Sequence, residues 1–177
     1  MTEPAESYIP VDLALRFRSQ AFRAWGVTLA IVFVWVFAIV LAPVALELGW
    51  AVAGPLYSFF SYICHQIGER SFHFDGHPLA VCSRCFGVYF GLFAGLVAYP
   101  LWRKIDDVEP LPRIWLFLSL VPIGLDWSLT IFGIWENNHL SRFITGLILG
   151  VACATYIVPA VVEIRRNISL RRRSAAS

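Results

Sequence analysis

The sequence WGVTLAIVFVWVFAIVLAPVAL at residues 25–46 contains no charged side chain over twenty-two consecutive positions. A helix of that length rises about 33 Å, which is enough to cross the roughly 30 Å hydrocarbon core of a bilayer. The chain of 177 residues is 58% hydrophobic and only 15% charged. Soluble domains carry about 25% charged residues, so this composition excludes a soluble globular protein and predicts a single integral membrane domain.

Three further apolar segments are long enough to cross a bilayer, and one shorter segment is not. The long segments are residues 79–102, 114–135 and 140–162. Residues 50–63 are also apolar, but they contain Gly54 and Pro55. About fourteen residues is typical of a re-entrant or interfacial segment. The predicted fold class is therefore an all-α integral membrane protein: a bundle of four transmembrane helices with a short re-entrant or interfacial helix on the outer side.

The basic residues predict which side of the membrane each loop faces. With four crossings, eleven of the fourteen Lys and Arg residues lie on one side: Arg16, Arg18, Arg23, Arg103, Lys104, Arg113, Arg165, Arg166, Arg171, Arg172 and Arg173. A fifth crossing at residues 50–63 would divide them six against eight. The positive-inside rule therefore predicts four spans in the cytoplasmic (inner) membrane, with both termini in the cytoplasm.

This topology divides the chain into three parts. Residues 1–23 form a cytoplasmic N-terminal segment, residues 24–163 the membrane domain, and residues 164–177 a basic cytoplasmic tail that we expect to be disordered. The net charge of +2 is too small to indicate a nucleic-acid partner, so the expected surroundings are the lipid bilayer. Small residues spaced by four predict close helix packing within the bundle or across a homo-oligomer: Gly87, Gly91, Gly95, Gly146 and Gly150.

The residues capable of metal chemistry gather at the outer end of this bundle. Cys64 and His65 follow the re-entrant segment, and Cys82 and Cys85 begin the second span in the motif C-S-R-C. A helix N-terminus favours the thiolate, which is the form that binds metals. We predict Cys64, Cys82 and Cys85 as ligands of a divalent metal, zinc, with His65 as the fourth ligand or as a base. The alternative is a packed thiol cluster or a structural disulfide.

Two costly ionisable residues lie inside the predicted spans. Asp126 is in the third span and Arg142 begins the fourth, where each charge costs a few kcal/mol on insertion scales. The two spans are antiparallel and joined by a short turn, so these side chains could form a buried ion pair. The functional alternative makes Asp126 a proton acceptor near the metal, while Arg142 or Arg70 binds an anionic group such as a lipid phosphate. Tyr89, one turn beyond Cys85, would point its hydroxyl toward the site.

Three other residues that could bind a metal or react are assigned no such role. His73 and His77 flank an Asp-Gly pair and precede a proline, which opposes a helix and predicts a hairpin-like loop over residues 72–78. They are interpreted as solvated loop residues. Cys153 lies in the middle of a span, where a free cysteine behaves as a small hydrophobic residue.

The motif C-H-Q at residues 64–66 and the run V-C-S-R-C-F-G-V-Y-F-G at residues 81–91 resemble a family of small prokaryotic membrane proteins, the domain of unknown function 2085 family. The likeness covers about residues 58–150. Other positions that fit the family pattern are Arg70, Ser71, Phe72, Pro78, Pro122, Asp126, Asn138, Arg142, Gly146 and Gly150. The resemblance implies a multi-pass membrane protein with no assigned activity. We add Asn138 to Arg70, Arg142 and Tyr89 as a candidate substrate-binding residue.

Three functions are consistent with these residues, and the sequence does not decide whether the protein is an enzyme. The first is a metal-binding membrane protein acting on a lipid headgroup or small molecule at the outer surface, with His65 and Asp126 as catalytic residues. The second is a membrane thiol–disulfide oxidoreductase using Cys82 and Cys85, similar to the quinone-linked disulfide-forming enzymes, although Cys64 has no evident partner. The third is a non-catalytic transporter or structural subunit.

Overall fold

The structure, a computed structural model, describes residues 11–174. Within that range it contains five α-helices: α1 (Val11–Glu47), α2 (Ala53–Ser61), α3 (Ser83–Trp102), α4 (Ile114–Ile131) and α5 (His139–Ser174). Two short antiparallel strands, β1 (His73–Phe74) and β2 (His77–Pro78), form a hairpin between α2 and α3. A single 3₁₀ turn at Gly68–Arg70 precedes the hairpin.

Four of these helices are long and apolar enough to cross a membrane by length and composition: α1, α3, α4 and α5. Much of their outer surface is apolar, and on α4 the side chains of Phe117 and Leu125 are both more than half exposed. Such a surface needs lipid as its solvent. The predicted all-α membrane bundle of four long helices is confirmed.

α5 extends well beyond the predicted fourth span. It continues without a break from His139 to Ser174, so the expected disorder of the basic tail is wrong for residues 164–174. Arg, Ile and Leu are adequate helix formers, and adding residues to an existing helix avoids the cost of nucleation. Residues 1–10 and 175–177 lie outside the described range.

The short helix α2 folds back beside α1. The rings of Phe59 and Phe60, near the end of α2, both pack against Trp35 with centroids 5.5 Å away. Trp35 lies twelve residues before the end of α1 at Glu47, which is about 18 Å along a helix. α2 therefore descends beside α1 instead of lying across its end, which agrees with the re-entrant form of the prediction.

The α3–α5 interface is built on glycine. A Cβ atom added to Gly150 would lie 2.1 Å from the carbonyl oxygen of Val88, and one added to Gly91 would lie 2.3 Å from that of Leu147. Only a residue without a side chain allows this approach of two backbones. The predicted glycine packing therefore occurs inside the chain, and it fixes the N-terminal halves of α3 and α5 side by side.

The predicted hairpin-like loop is confirmed at residues 73–78. Asp75 and Gly76 both have positive φ, at 49° and 83°, as the tight turn of a two-residue hairpin requires. Nε2 of His77 lies 3.0 Å from Oε2 of Glu47, which holds the hairpin against the end of α1.

Candidate metal centre

Three cysteine sulfurs converge beneath this hairpin. The Sγ atoms of Cys64, Cys82 and Cys85 all lie within 4.8 Å of one another, and all three are free thiols. Two thiolates on one tetrahedral zinc at about 2.3 Å are roughly 3.8 Å apart. Side-chain movements of less than about an ångström would therefore bring the three sulfurs onto one ion. The sequence-predicted sulfur ligands are thus brought together.

The loop that carries Cys64 is fixed by Gln66. This residue has a positive φ of 49°, unusual for a side chain of its size. Its Nε2 donates to the backbone carbonyls of Tyr57 and Ala80, both at 2.8 Å. The Tyr57 hydroxyl in turn donates to the carbonyl of Pro78 at 2.5 Å. One side chain therefore ties α2 to the segment that leads into α3, and this holds Cys64 against Cys82.

The N-terminus of α3 supplies the other two sulfurs. Cys82 is the N-cap residue, with extended backbone, and Cys85 lies in the first turn. The backbone N–H of Cys82 donates to Sγ of Cys64 at 3.2 Å. The pKa of the Cys64 thiol is well below its ordinary value, because the side chains of Cys82 and Cys85 donate hydrogen bonds to its sulfur. The positive end of α3, where the N–H of Cys82 lies, further favours negative charge on the sulfur of Cys64.

A cavity of about 340 Å³ opens beside the sulfurs. Its lining includes the three cysteines together with His65 and Arg70. His65 lines the cavity, but its ring nitrogens do not belong to the group of ligand atoms that lie within 4.8 Å of one another. Among the described residues, the structure therefore groups three sulfurs that could hold a metal beside a cavity with His65 on its wall.

The buried carboxylate of Asp126 has a different partner from the one expected. Its Oδ2 accepts hydrogen bonds from Nη2 of Arg84 and, at 3.0 Å, from Nδ2 of Asn137. Arg142 donates from Nε to Oδ1 of Asn137 at 2.7 Å, and it forms no ion pair with Asp126 within the described range. The expected Asp126–Arg142 ion pair is wrong, because Arg84 reaches the carboxylate from α3 and Asn137 bridges to Arg142.

Three arginines lie around this end of the bundle. Arg70 lines the sulfur cavity, Arg84 lies between two of the cysteines in sequence, and the charges of both act on Arg142. Nε of Arg84 is buried with no hydrogen-bond partner among the described residues. Asp126 is the one acidic group that contacts these arginines in the described part of the chain. Of these three arginines, only Arg84 is in an ion pair among the described residues, and a guanidinium group suits an anionic ligand.

The remaining candidate residues occupy different positions. Asn138 caps α5, since its Oδ1 accepts the backbone N–H of Ser141 at 2.8 Å. Tyr89 packs on Trp35, with ring centroids 5.7 Å apart, in the same cluster as Cys85. Cys153 lies on α5 and is not part of the sulfur group.

Sequence reasoning missed Gln66 and Asn137 as organising residues, and it did not recognise Arg84 as the partner of Asp126. The C-H-Q motif was a signal for Gln66, because a glutamine amide two residues after a buried cysteine can donate to two carbonyls at once. Arg84 and Asp126 are 42 positions apart, so no local pattern connects them.

Replacing Asp126 by alanine is expected to destabilise the protein strongly. The carboxylate side chain is 8% exposed and that of Arg84 is 24% exposed, so the change leaves a largely buried guanidinium unpaired. Breaking such a pair costs about 3 kcal/mol, the lower end of the usual range because Arg84 retains some solvent. Thermal or denaturant unfolding in detergent measures the loss.

The matched control is Glu47→Ala, which breaks the more exposed His77–Glu47 pair, whose side chains are 35% and 46% exposed. That change should cost about 1 kcal/mol or less. The double variant Asp126→Ala with Arg84→Met should recover most of the stability, since no unpaired charge remains. Equal losses for Asp126→Ala and Glu47→Ala would contradict the buried pair.

Comparisons with known proteins identify relatives but no activity. A family model described as "Predicted membrane protein (DUF2085)" matches residues 64–156. An uncharacterized protein of Methanocaldococcus jannaschii is 42% identical over 109 residues, covering 61% of this chain and 69% of the relative. An uncharacterized protein of Methanothermobacter thermautotrophicus is 38% identical over 96 residues, covering 54% of this chain and 84% of the relative. No solved structure matches the chain.

Proposed function

The chain belongs to the DUF2085 family of predicted membrane proteins, and we propose that it binds a divalent metal, zinc, through the thiolates of Cys64, Cys82 and Cys85. We further propose that the metal serves an enzyme acting on a lipid headgroup or small molecule at the outer membrane face. Membership of the family indicates a membrane protein, whereas the proposal of a metal depends on the positions of the three cysteines in this chain.

The observation that carries the metal proposal is the convergence of three sulfurs from two separate chain segments. A disulfide uses two cysteines and would leave the third unpaired, whereas a metal ion uses all three. Free cysteines ordinarily pack as small apolar groups, but here the N–H of Cys82 donates to the sulfur of Cys64. Hydrogen bonds of this kind stabilise a charged thiolate, which is the ligand form. Thiolate ligands select zinc or another soft-tolerant metal.

A metal held by three sulfurs beside this cavity would have room for water or substrate, which favours catalysis over a purely structural role. Structural zinc sites use four protein ligands, whereas catalytic sites use three and leave one position for water or substrate. A zinc ion supplies a water of lowered pKa. His65, on the cavity wall, is the proposed proton acceptor, and Arg70 and Arg142 are the proposed contacts to an anionic substrate. Asp126 holds Arg84 and, through Asn137, Arg142 in place.

The outer location of this centre rests on the basic residues. Arg165 and Arg166 on α5 lie at the end of the bundle opposite to the cysteines, together with Arg103 and Lys104 after α3. The positive-inside rule favours that end as cytoplasmic. We therefore propose that both termini are cytoplasmic and that the thiols open toward the outside of the inner membrane.

The test is metal analysis of the full chain, purified in detergent under reducing conditions. We expect about one zinc ion per chain, as a three-thiolate site requires. Maleimide labelling of the native protein should be slow at the three site thiols and rapid after chelation, whereas Cys153 should respond equally in both states. Metal-free protein with unchanged thiol labelling after chelation would overturn the proposal.

Thiol–disulfide exchange is the second candidate function. The positions of the sulfurs support it more strongly than the sequence alone did. The sequence left Cys64 without a partner, but its Sγ lies within 4.8 Å of both Cys82 and Cys85. Two of these thiols could form a disulfide by passing two electrons and two protons to a membrane quinone, and the third could attack that bond. Quantitative thiol trapping separates the candidates: a reversible loss of two thiols supports exchange, and three metal-protected thiols support the metal centre.

A further inference from the structure

A second cavity lies at the end of the bundle opposite to the sulfurs. It has a volume of about 460 Å³ and is lined by the region where α3 ends and by one turn of α1. α3 carries Cys82 at its N-cap and ends at Trp102. Twenty helical residues separate the two ends, which is about 30 Å. The cavity is therefore distinct from the candidate metal centre and is placed where the opposite membrane surface would be.

Three basic side chains line this cavity: Arg18, Arg103 and Lys104. Among the described residues, Arg18 and Lys104 form no ion pair, while Asp106 is the one acid in the lining. Arg103 is bound through Nη2 to Asp107, but its Nη1 is buried without a hydrogen-bond partner in the described part of the chain. A buried donor without an acceptor is costly. Three basic side chains against one acid in the lining therefore offer positive charge to an anion.

Apolar side chains complete the lining on the lipid side. Leu101 is 87% exposed and Trp102 is 52% exposed, although both border charged residues. Phe22 adds a ring beneath the guanidinium of Arg18 at 5.9 Å. Tryptophan beside basic residues at the end of a transmembrane helix is typical of the lipid headgroup region. A soluble phosphate would use the charges, but only a lipid uses both the charges and the exposed apolar wall.

We propose that this cavity binds the headgroup of an anionic phospholipid, with its phosphate against Arg18, Arg103 and Lys104 and its acyl chains along Leu101 and Trp102. Basic pockets between transmembrane helices at the cytoplasmic surface bind anionic headgroups in this way. Bound lipid would hold the N-terminal part of α1 against the loop that follows α3. This proposal does not depend on the metal centre.

The experiment is native mass spectrometry of the full chain in detergent, titrated with phosphatidylglycerol or with phosphatidylcholine of the same acyl chains. We expect preferential retention of phosphatidylglycerol. The double variant Arg18→Gln with Lys104→Gln should bind it about 25-fold more weakly, roughly fivefold for each basic residue removed. Neither residue makes an ion pair, so the variant should fold and keep the same metal content as the unsubstituted protein.

Arg113→Gln is the matched control, because Arg113 follows the same loop but lies outside the cavity lining. It should change the affinity less than about twofold, since its charge does not contact the proposed headgroup. An equal loss of phosphatidylglycerol affinity in the control and in the double variant would mean that the lipid is attracted to the basic surface in general and not to this cavity. Equal binding of the two lipids, or displacement of phosphatidylglycerol by inorganic phosphate, would overturn the lipid proposal.

Discussion

Replacing Cys82 by serine is expected to remove nearly all bound metal from the purified protein. The sulfur of Cys82 is one of the three within 4.8 Å, and serine removes it while keeping the backbone N–H that donates to the sulfur of Cys64. Changes to residues that merely support a metal ligand reduce affinity by about 10–100-fold, so loss of a direct ligand from a three-thiolate site should exceed this. Elemental analysis of bound metal per chain measures the effect.

Cys153→Ser is the matched control, because it removes one thiol from α5 without touching the sulfur group. It should leave the metal content unchanged. The far-ultraviolet circular dichroism of both variants should resemble that of the original protein, since the long helices bond their backbone groups internally and lie mostly outside the sulfur group. If Cys82→Ser retained its metal, or if Cys153→Ser lost the metal equally, the three-sulfur centre would be incorrect.

The sequence was sufficient for the membrane fold and for the sulfur group. Long uncharged runs such as residues 25–46 determine transmembrane helices almost independently of tertiary contacts, since lipid requires every backbone polar group to be bonded within its own helix. Cys82 and Cys85 are adjacent on one helix turn, and the topology alone brings Cys64 to the same end. These inferences depend on local pattern and chain direction, and both can be read from the sequence.

The hydrogen bonds and ion pairs between the helices could not be predicted from the sequence in the same way. Asp126 had two arginines within plausible reach, and the choice of Arg84 over Arg142 depends on how α3, α4 and α5 rotate against one another. That rotation is set by side-chain packing, especially by the close approach at Gly150. Asn137 bridges the acid and Arg142 because of the same geometry. The prediction of a disordered tail was wrong for another reason. The charge of the tail suggested that it would be solvated and disordered, but its residues are adequate helix formers and simply extend α5.

The candidate metal centre and the glycine interface are linked through α3, because this helix contributes residues to both. Its N-terminus presents two of the sulfurs, and its glycine face is pressed against α5. Arg84 contributes to both regions. Its carbonyl oxygen would lie 2.3 Å from a Cβ added to Gly146, and its side chain donates a hydrogen bond to Asp126. A change in the distance between α3 and α5 should therefore alter the arginines next to the sulfurs before it alters the sulfurs themselves.

Adding one methyl group at this interface, in Gly150→Ala, is expected to lower the stability of the protein by about 3 kcal/mol, at the upper end of the cost of overpacking. The new Cβ would lie 2.1 Å from the carbonyl oxygen of Val88 and 2.6 Å from the backbone nitrogen of Leu92. Both neighbours are backbone atoms, so no rotamer change can relieve the contact and the two helices must separate. The midpoint of thermal unfolding in detergent should fall by about 6–12 °C.

Gly124→Ala provides the control, because a Cβ at Gly124 meets nothing within 4 Å on the exposed face of α4. Alanine is a better helix former than glycine by about 1 kcal/mol, so this variant should be as stable as the original protein or slightly more so. The same gain in propensity applies at Gly150, which makes the two variants differ only in contact with a neighbouring helix. Equal unfolding midpoints for the two variants would mean that α3 and α5 lie further apart than the structure places them, and the position of Arg84 against Asp126 would then need revision as well.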